Sequence, residues 1–242
     1  MRILVLSDIH ANLTALDAVL EAAGPVEAIW CLGDVVGSGP DPNECIERLR
    51  SLPNLTCLMG NHDAAALDQI DLEAFNREAR HSVRWTQNVL TPQNRDFLAQ
   101  LPDRALVEGV TLAHGSPRSP VWEYLLDHKT VSENMAFFDT DLCFIGHTHI
   151  PLFFCQESDT GEITGDIILE GESPPIAGRM FLNPGSVGQP RDRDSRAAYA
   201  IFNSEPRHWK AARAQYDIGN VQKRMRQADF PTRLVQRLMQ GW

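Results

Sequence analysis

Eight histidines are spread over 242 residues, and five of them sit in short polar turns that each follow an apolar run. The turns read Asp8-Ile9-His10, Gly33-Asp34, Gly60-Asn61-His62-Asp63, His114-Gly115 and Gly146-His147-Thr148-His149. Carboxylate, imidazole and amide oxygen are donors for first-row divalent ions such as Mn, Fe, Co, Ni or Zn, and they lack the thiolates of a soft-metal site. Each turn alone is weak. Asp8-x-His10 could be a helix cap, Gly33-Asp34 an ordinary turn and His114 a core histidine, and an H-x-H pair can arise by chance. Together, all placed after strand-like runs, the turns point to a shared metal site.

The elements that must position them can be read from periodicity. Short apolar runs at 3–6, 28–32, 55–59, 110–113 and 142–145 predict strands. Leu13, Leu16, Val19, Leu20 and Ala23 recur at helical spacing. Asp41-Pro42 and Thr91-Pro92 look like caps followed by proline at the first helical position. Such alternation implies a mainly parallel sheet with ligands at the carboxyl ends of its strands. Strand-like runs at 152–155, 163–169, 180–182, 197–202 and, more loosely, 208–216 follow, while 64–100 and 219–240 read as mostly helical. Neighbouring strands lie about 4.8 Å apart, so several strand ends can converge on one cluster. Residues two apart on an extended chain face opposite ways. Asp8 and His10, like His147 and His149, can therefore share a site only where the chain turns.

Residues 1–242 read as a single domain without repeats or linkers. Within it, 156–178 is an acidic, Gly/Pro/Ser-rich hairpin or loop excursion, and 217–242 is a C-terminal helical segment. Leu234, Val235, Leu238 and Met239 form an apolar stripe there. Lys223, Arg224, Arg226, Arg233 and Arg237 are expected on its solvated face. A net charge of −10 argues against sequence-independent duplex binding, which needs Lys and Arg on phosphates. No apolar run is long enough for a membrane span. The opening Met-Arg-Ile-Leu-Val-Leu-Ser-Asp reads as a buried strand and not a signal peptide. The five cysteines form no C-x-x-C pair, which fits reduced, buried thiols in a cytoplasmic protein.

The five turns, in this order, resemble the calcineurin-like metallophosphoesterase superfamily. The wording of residues 8–12, 33–49, 114–120, 146–151 and 183–192 is similar to its prokaryotic YfcE-type phosphodiesterase-like branch. The resemblance implies a four-layer α/β/β/α sandwich of two mixed β-sheets flanked by helices. It also implies a dinuclear centre. One ion would take Asp8, His10, Asp34 and His149. The other would take Asp34, Asn61, His114 and His147, with Asp34 bridging. Two divalent ions leave such a site net positive despite the acidic chain, so it attracts a phosphoryl group. A bridging hydroxide is expected to attack phosphorus in line, with no covalent enzyme intermediate. His62 is expected to protonate the leaving alkoxide. Asp63 is the second catalytic candidate, chiefly as an orienting group.

The substrate is expected to be a small phosphodiester, nucleotide-like in character, and Mn the favoured metal. Phosphomonoesters and dinucleoside polyphosphates are the alternatives, and a non-catalytic interaction module is the rival of a different class. Protein phosphatases of the superfamily carry an arginine shortly after the Gly-Asp turn, and residues 35–40 hold none. Where the YfcE-type branch often has an aromatic side chain, Ser38 stands. Arg191 and Arg193 fit loop salt bridges better than distal substrate contacts. Residues 76–86 are expected near the metals as a lid, with Trp85 in the core.

Overall fold

The computed structural model describes residues 1–157 and 160–242. A first sheet is built on β1 (Arg2–Leu6), flanked on one side by the parallel strands β2 (Ala28–Cys31) and β3 (Leu55–Cys57). Between these strands run α1 (Leu13–Ala23) and α2 (Pro42–Arg50). Three helices follow, α3 (Asn61–Ala66), α4 (Arg77–Val89) and α5 (Pro92–Ala99). A second sheet begins with β4 (Arg104–Val107) and β5 (Val110–Ala113), then α6 (His128–Asn134) leads to β6 (Leu142–Phe144). It is completed by β7 (Pro151–Gln156), β8 (Ile163–Ile167) and β9 (Arg179–Pro184), in the order β4-β5-β6-β9-β7-β8. The chain then returns to the first sheet with β10 (Ala197–Ser204), antiparallel to β1, and β11 (Arg207–Ala214). It ends in α7 (Ile218–Gln227) and α8 (Thr232–Gln240).

Strand alternation explains the layers. On β1, Ile3 and Val5 face one way and Leu4 and Leu6 the other. Ile3 and Val5 join Trp30, Leu112, Phe144, Leu182 and Trp209 in the core between the two sheets. Leu4 and Leu6 pack with Leu16, Val19, Ile46 and Leu49 of α1 and α2. On the far face of the second sheet, Cys143 and Phe181 meet Val131 and Met135 around α6. Helices therefore cover the outer faces of two mixed sheets, the sandwich expected from the sequence.

Several local features depart from expectation. Asp41 precedes α2, but its carboxylate makes no cap bond. It takes the guanidinium of Arg224 at 2.9 and 2.8 Å instead, which ties α7 to the start of α2. The 64–100 stretch is three helices plus a 3₁₀ turn, and 219–240 breaks at Phe230-Pro231. The strand β4 and the helix α6 were not legible, being short and weakly periodic. Met239 is exposed, off the apolar stripe that buries Leu234, Val235 and Leu238. In the 156–178 segment, β8 pairs with β7 as an antiparallel edge, and residues 158–159 lie outside the described residues.

Candidate metal centre

The carboxyl ends of β1, β2, β5 and β6 open onto one place, and the backbone there is bent in an uncommon way. Asp8, His10, Asp34, His147 and His149 all have positive φ, between 50° and 64°. L-residues enter this left-handed region rarely and at a cost. The bend breaks strand alternation and lets residues two apart aim at the same point. Gly60 makes room for the convergence, since a Cβ there would collide with Oδ1 of Asp34. Gly33, at φ +104°, sits where a Cβ would press on Gly60 N at 2.8 Å.

All seven expected ligands are buried. Their donor atoms gather in two sets, Asp8 with His10, Asp34 and His149, and Asp34 with His114 and His147, each within 4.8 Å. Asp34 belongs to both. Nε2 of His10 lies 3.5 Å from Oδ2 of Asp34, and Nε2 of His114 lies at the same distance on the other side. The amide oxygen of Asn61 is 3.3 Å from Nε2 of His114, which brings it to the second set.

Hydrogen bonds to carbonyl oxygens fix the imidazoles. A carbonyl only accepts, so the ring nitrogen facing it carries a proton and the opposite nitrogen is the one that can offer a lone pair to a metal. His114 Nδ1 donates to Leu32 O at 2.9 Å and His149 Nδ1 to Gln189 O at 2.6 Å. His147 Nε2 donates to Trp122 O at 3.0 Å, which frees Nδ1. The carboxylates are aimed as well. Asp8 Oδ2 accepts the N–H of His147 at 3.1 Å, and Asp34 Oδ1 accepts that of His62 at 2.8 Å.

What remains unsatisfied is telling. Oδ1 of Asp8, Oδ2 of Asp34 and Nδ1 of His10 are buried with no hydrogen-bond partner. A buried orphan of this kind costs on the order of 1–3 kcal/mol, more when charged. Both orphaned oxygens face imidazole nitrogens across the cluster, with His149 Nε2 3.3 Å from Asp8 Oδ1. Cations seated among them would satisfy both carboxylate oxygens and meet the imidazole nitrogens that face them, so the residues present fit divalent metals.

The protein's own charges point the same way. Burial lifts the Asp8 carboxyl to about 6 against the pull of His114. Burial drives His10 down to about 3, and His147 and His149 well below the ordinary histidine value. Burial would also lower His114, but Asp34 overrides it and holds the ring at about 9. His114 and His62, conversely, keep Asp34 well below the usual carboxylate range although burial opposes them. Asp34 is thus the charged hub of the cluster.

His62 stands beside the cluster. Its ring meets His10 edge-on at 4.8 Å and Phe75 at 5.1 Å, and it lines a cleft of about 220 Å³. Asp63 does not line that cleft. Its carboxylate accepts the backbone N–H groups of Gly60, Val35 and Val36 at 3.0, 3.2 and 3.0 Å. It therefore clamps the Gly33-Asp34 loop to the Gly60-Asn61 loop, an orienting role. Burial raises it to about 7.

Asn76 and Ala79 at the start of α4 border the cleft, while Trp85 packs on Phe230 at 4.9 Å. Ser38 lines the cleft and Arg193 is exposed. The sequence reading missed Trp122, Tyr124 and Gln189 of the cleft wall, and Arg237 on α8. Tyr124 stacks on His147 with ring centroids 3.8 Å apart. The available signal was position, since both aromatics lie on the loop just after His114-Gly115. None of the five cysteines lines the cleft, and all are free thiols.

Residues 1–206 match the calcineurin-like phosphoesterase superfamily domain. An uncharacterized protein of Methanocaldococcus jannaschii is 36% identical over 246 residues, covering 99% of this chain and 98% of its own. Among solved structures, a metallophosphoesterase from Sphaerobacter thermophilus superposes with a TM-score of 0.91 at 44% identity, covering 100% of this chain and 99% of its own. A hypothetical protein of Pyrococcus horikoshii shares the fold, with a TM-score of 0.80 at 21% identity over 100% of this chain and 98% of its own. With a matched domain across most of its length and a full-length relative above one-third identity, the chain belongs to the calcineurin-like phosphoesterase superfamily.

Proposed function

We propose that the chain is a metal-dependent phosphodiesterase with two divalent ions, Mn foremost, acting on small, nucleotide-like esters. The observation that carries this reading is the pair of buried donor sets sharing Asp34, reached from an adjoining cleft that Asn61 and His147 line. Asp8, His10, Asp34 and His149 would hold one ion, and Asp34, Asn61, His114 and His147 the other. Bound there, the ions supply Lewis-acid charge and make water nucleophilic near neutral pH, for direct in-line attack at phosphorus.

The remaining work falls to the chain. The backbone bonds to Asp8 and Asp34 hold both carboxylates in place before substrate arrives, so little reorganisation is needed. Phe75, Trp122 and Tyr124 wall the cleft and exclude water from the ester. His62 is the proton donor to the leaving alkoxide. Burial lowers its proton affinity. A phosphoryl anion in the cleft restores the charged form, so the acid is loaded when substrate is bound. Asp63 fixes the loops that carry Asp34, Asn61 and His62.

No helix among the described residues is long and apolar enough to cross a membrane. The free, mostly buried thiols support a cytoplasmic setting. The test is turnover of bis(p-nitrophenyl) phosphate and p-nitrophenyl phosphate by protein supplied with Mn. The reading expects the diester to be the better substrate. Preference for the monoester would move the assignment to a phosphomonoesterase, and no turnover at full metal loading would favour a non-catalytic module.

A further inference from the structure

The cleft beside the donor cluster carries two arginines that form no ion pair among the described residues. Arg191, shortly after β9, and Arg237, on α8, both line it together with Asn61, His62 and His147. The Nε of each is buried without a hydrogen-bond partner. Neither guanidinium forms an ion pair among the described residues, although acids lie close by in the chain. Those acids are engaged elsewhere. Asp192 pairs with Arg213, and Asp194 with Arg196 at 2.6 Å. Beside α8, Glu78 faces Arg233 at 3.9 Å.

The segment that presents Arg237 is firmly seated. Leu234, Val235 and Leu238 pack on Val221, Met225 and Phe230. Gln222 Nε2 donates to Val235 O at 2.8 Å, and Arg224 anchors α7 on Asp41. Leu234 and Arg237, one turn apart, share the helix face turned to the cleft. Burial and the neighbouring charges of Arg191 and Arg233 act against the Arg237 proton, while the charge of Glu78 acts for it without pairing with it.

Two unpaired guanidiniums held close on a half-buried wall repel each other and are poorly hydrated. An anion between them removes both penalties, and the planar guanidinium fork matches phosphate oxygens. Asn61 and His147 are the donors that line the cleft and would bring the scissile phosphoryl group to its inner end, which leaves the arginines for another one. At about 220 Å³ the cleft exceeds what one phosphoryl group fills.

We propose that Arg191 and Arg237 form an anion subsite that grips a second phosphoryl group of the substrate, making the chain selective for phosphodiesters that carry one phosphate beyond the scissile one. This rests on the phosphodiesterase reading above. Because α8 lies beyond residues 1–206, the subsite is supplied in part from outside the matched superfamily domain.

The test compares three chromogenic esters on the metal-loaded protein: the p-nitrophenyl ester of thymidine 5′-monophosphate, its 3′-phosphorylated counterpart, and the corresponding 5′-diphosphate ester. One of the two doubly phosphorylated esters should be favoured about tenfold or more in kcat/KM, through KM. Which one it is tells a bisphosphate substrate from a polyphosphate chain. Arg237→Gln and Arg191→Gln should each abolish that preference, Arg237→Lys should keep part of it, and Arg233→Gln should keep all of it. Turnover without preference in the wild type, or equal loss in Arg233→Gln, overturns the subsite alone. Absence of turnover on all three esters overturns the phosphodiesterase reading and the subsite with it.

Discussion

Oδ1 of Asp34 accepts the backbone N–H of His62 at 2.8 Å, while Oδ2 of the same carboxylate is buried with no hydrogen-bond partner between His10 and His114. One oxygen is thus held by the loop that carries the proposed acid, and the other is turned to both donor sets.

This arrangement makes Asp34 the least replaceable residue. Asp34→Asn keeps the shape but removes the negative charge shared by both sets. Elemental analysis should show loss of bound metal, and diester turnover should fall by at least about 100-fold. Full metal content with near-normal turnover would contradict a shared role.

His62→Ala tests the acid separately. The seven donors stay in place, so metal content should be unchanged. Turnover should fall by roughly 10²–10⁴ on esters with poor leaving groups, and far less on nitrophenyl esters, which need no proton. Equal losses on both classes would make His62 a positioning group only.

Metal binding should depend on pH in a definite direction. In the metal-free protein His114, at about 9, is protonated at neutral pH, so binding must expel its proton. Calorimetry in buffers of different ionisation enthalpy should show net proton release near pH 7. Affinity should weaken as pH falls, more steeply below about 6 where Asp8 also takes up a proton. Affinity that does not change between pH 5 and 8 would speak against these ligands.

Asp63 should matter for the fold before it matters for chemistry. Its two oxygens accept three backbone N–H groups from two loops. Asparagine offers one acceptor oxygen and turns an NH₂ toward the remaining donors. Denaturant unfolding of Asp63→Asn should show a loss of roughly 2–4 kcal/mol. A loss within experimental error would remove the clamp role.

The sequence made the donor set legible because each member follows a buried strand, and strand ends converge by geometry alone. The same holds for the layers, since the alternation of Ile3 and Val5 against Leu4 and Leu6 already implies two buried faces. What stayed hidden were side chains whose role depends on packing between distant segments. Arg237 has the same chemistry and helical context as Arg233, yet one lines the cleft and the other faces Glu78. Helical periodicity separated their faces too weakly to tell which would turn inward. Asp41 looked like a helix cap because local rules favour it there, and a partner 183 residues away outbid the cap. The positive φ values at Asp8, His10, Asp34, His147 and His149 are likewise invisible in residue type.

The central claim is that seven side chains hold two ions around one carboxylate. Anomalous diffraction from Mn-soaked crystals measures this directly. Two peaks are expected, one among Asp8, His10, Asp34 and His149, the other among Asp34, Asn61, His114 and His147. A single peak remote from Asp34, or no peak within this cluster at full occupancy elsewhere, would contradict it.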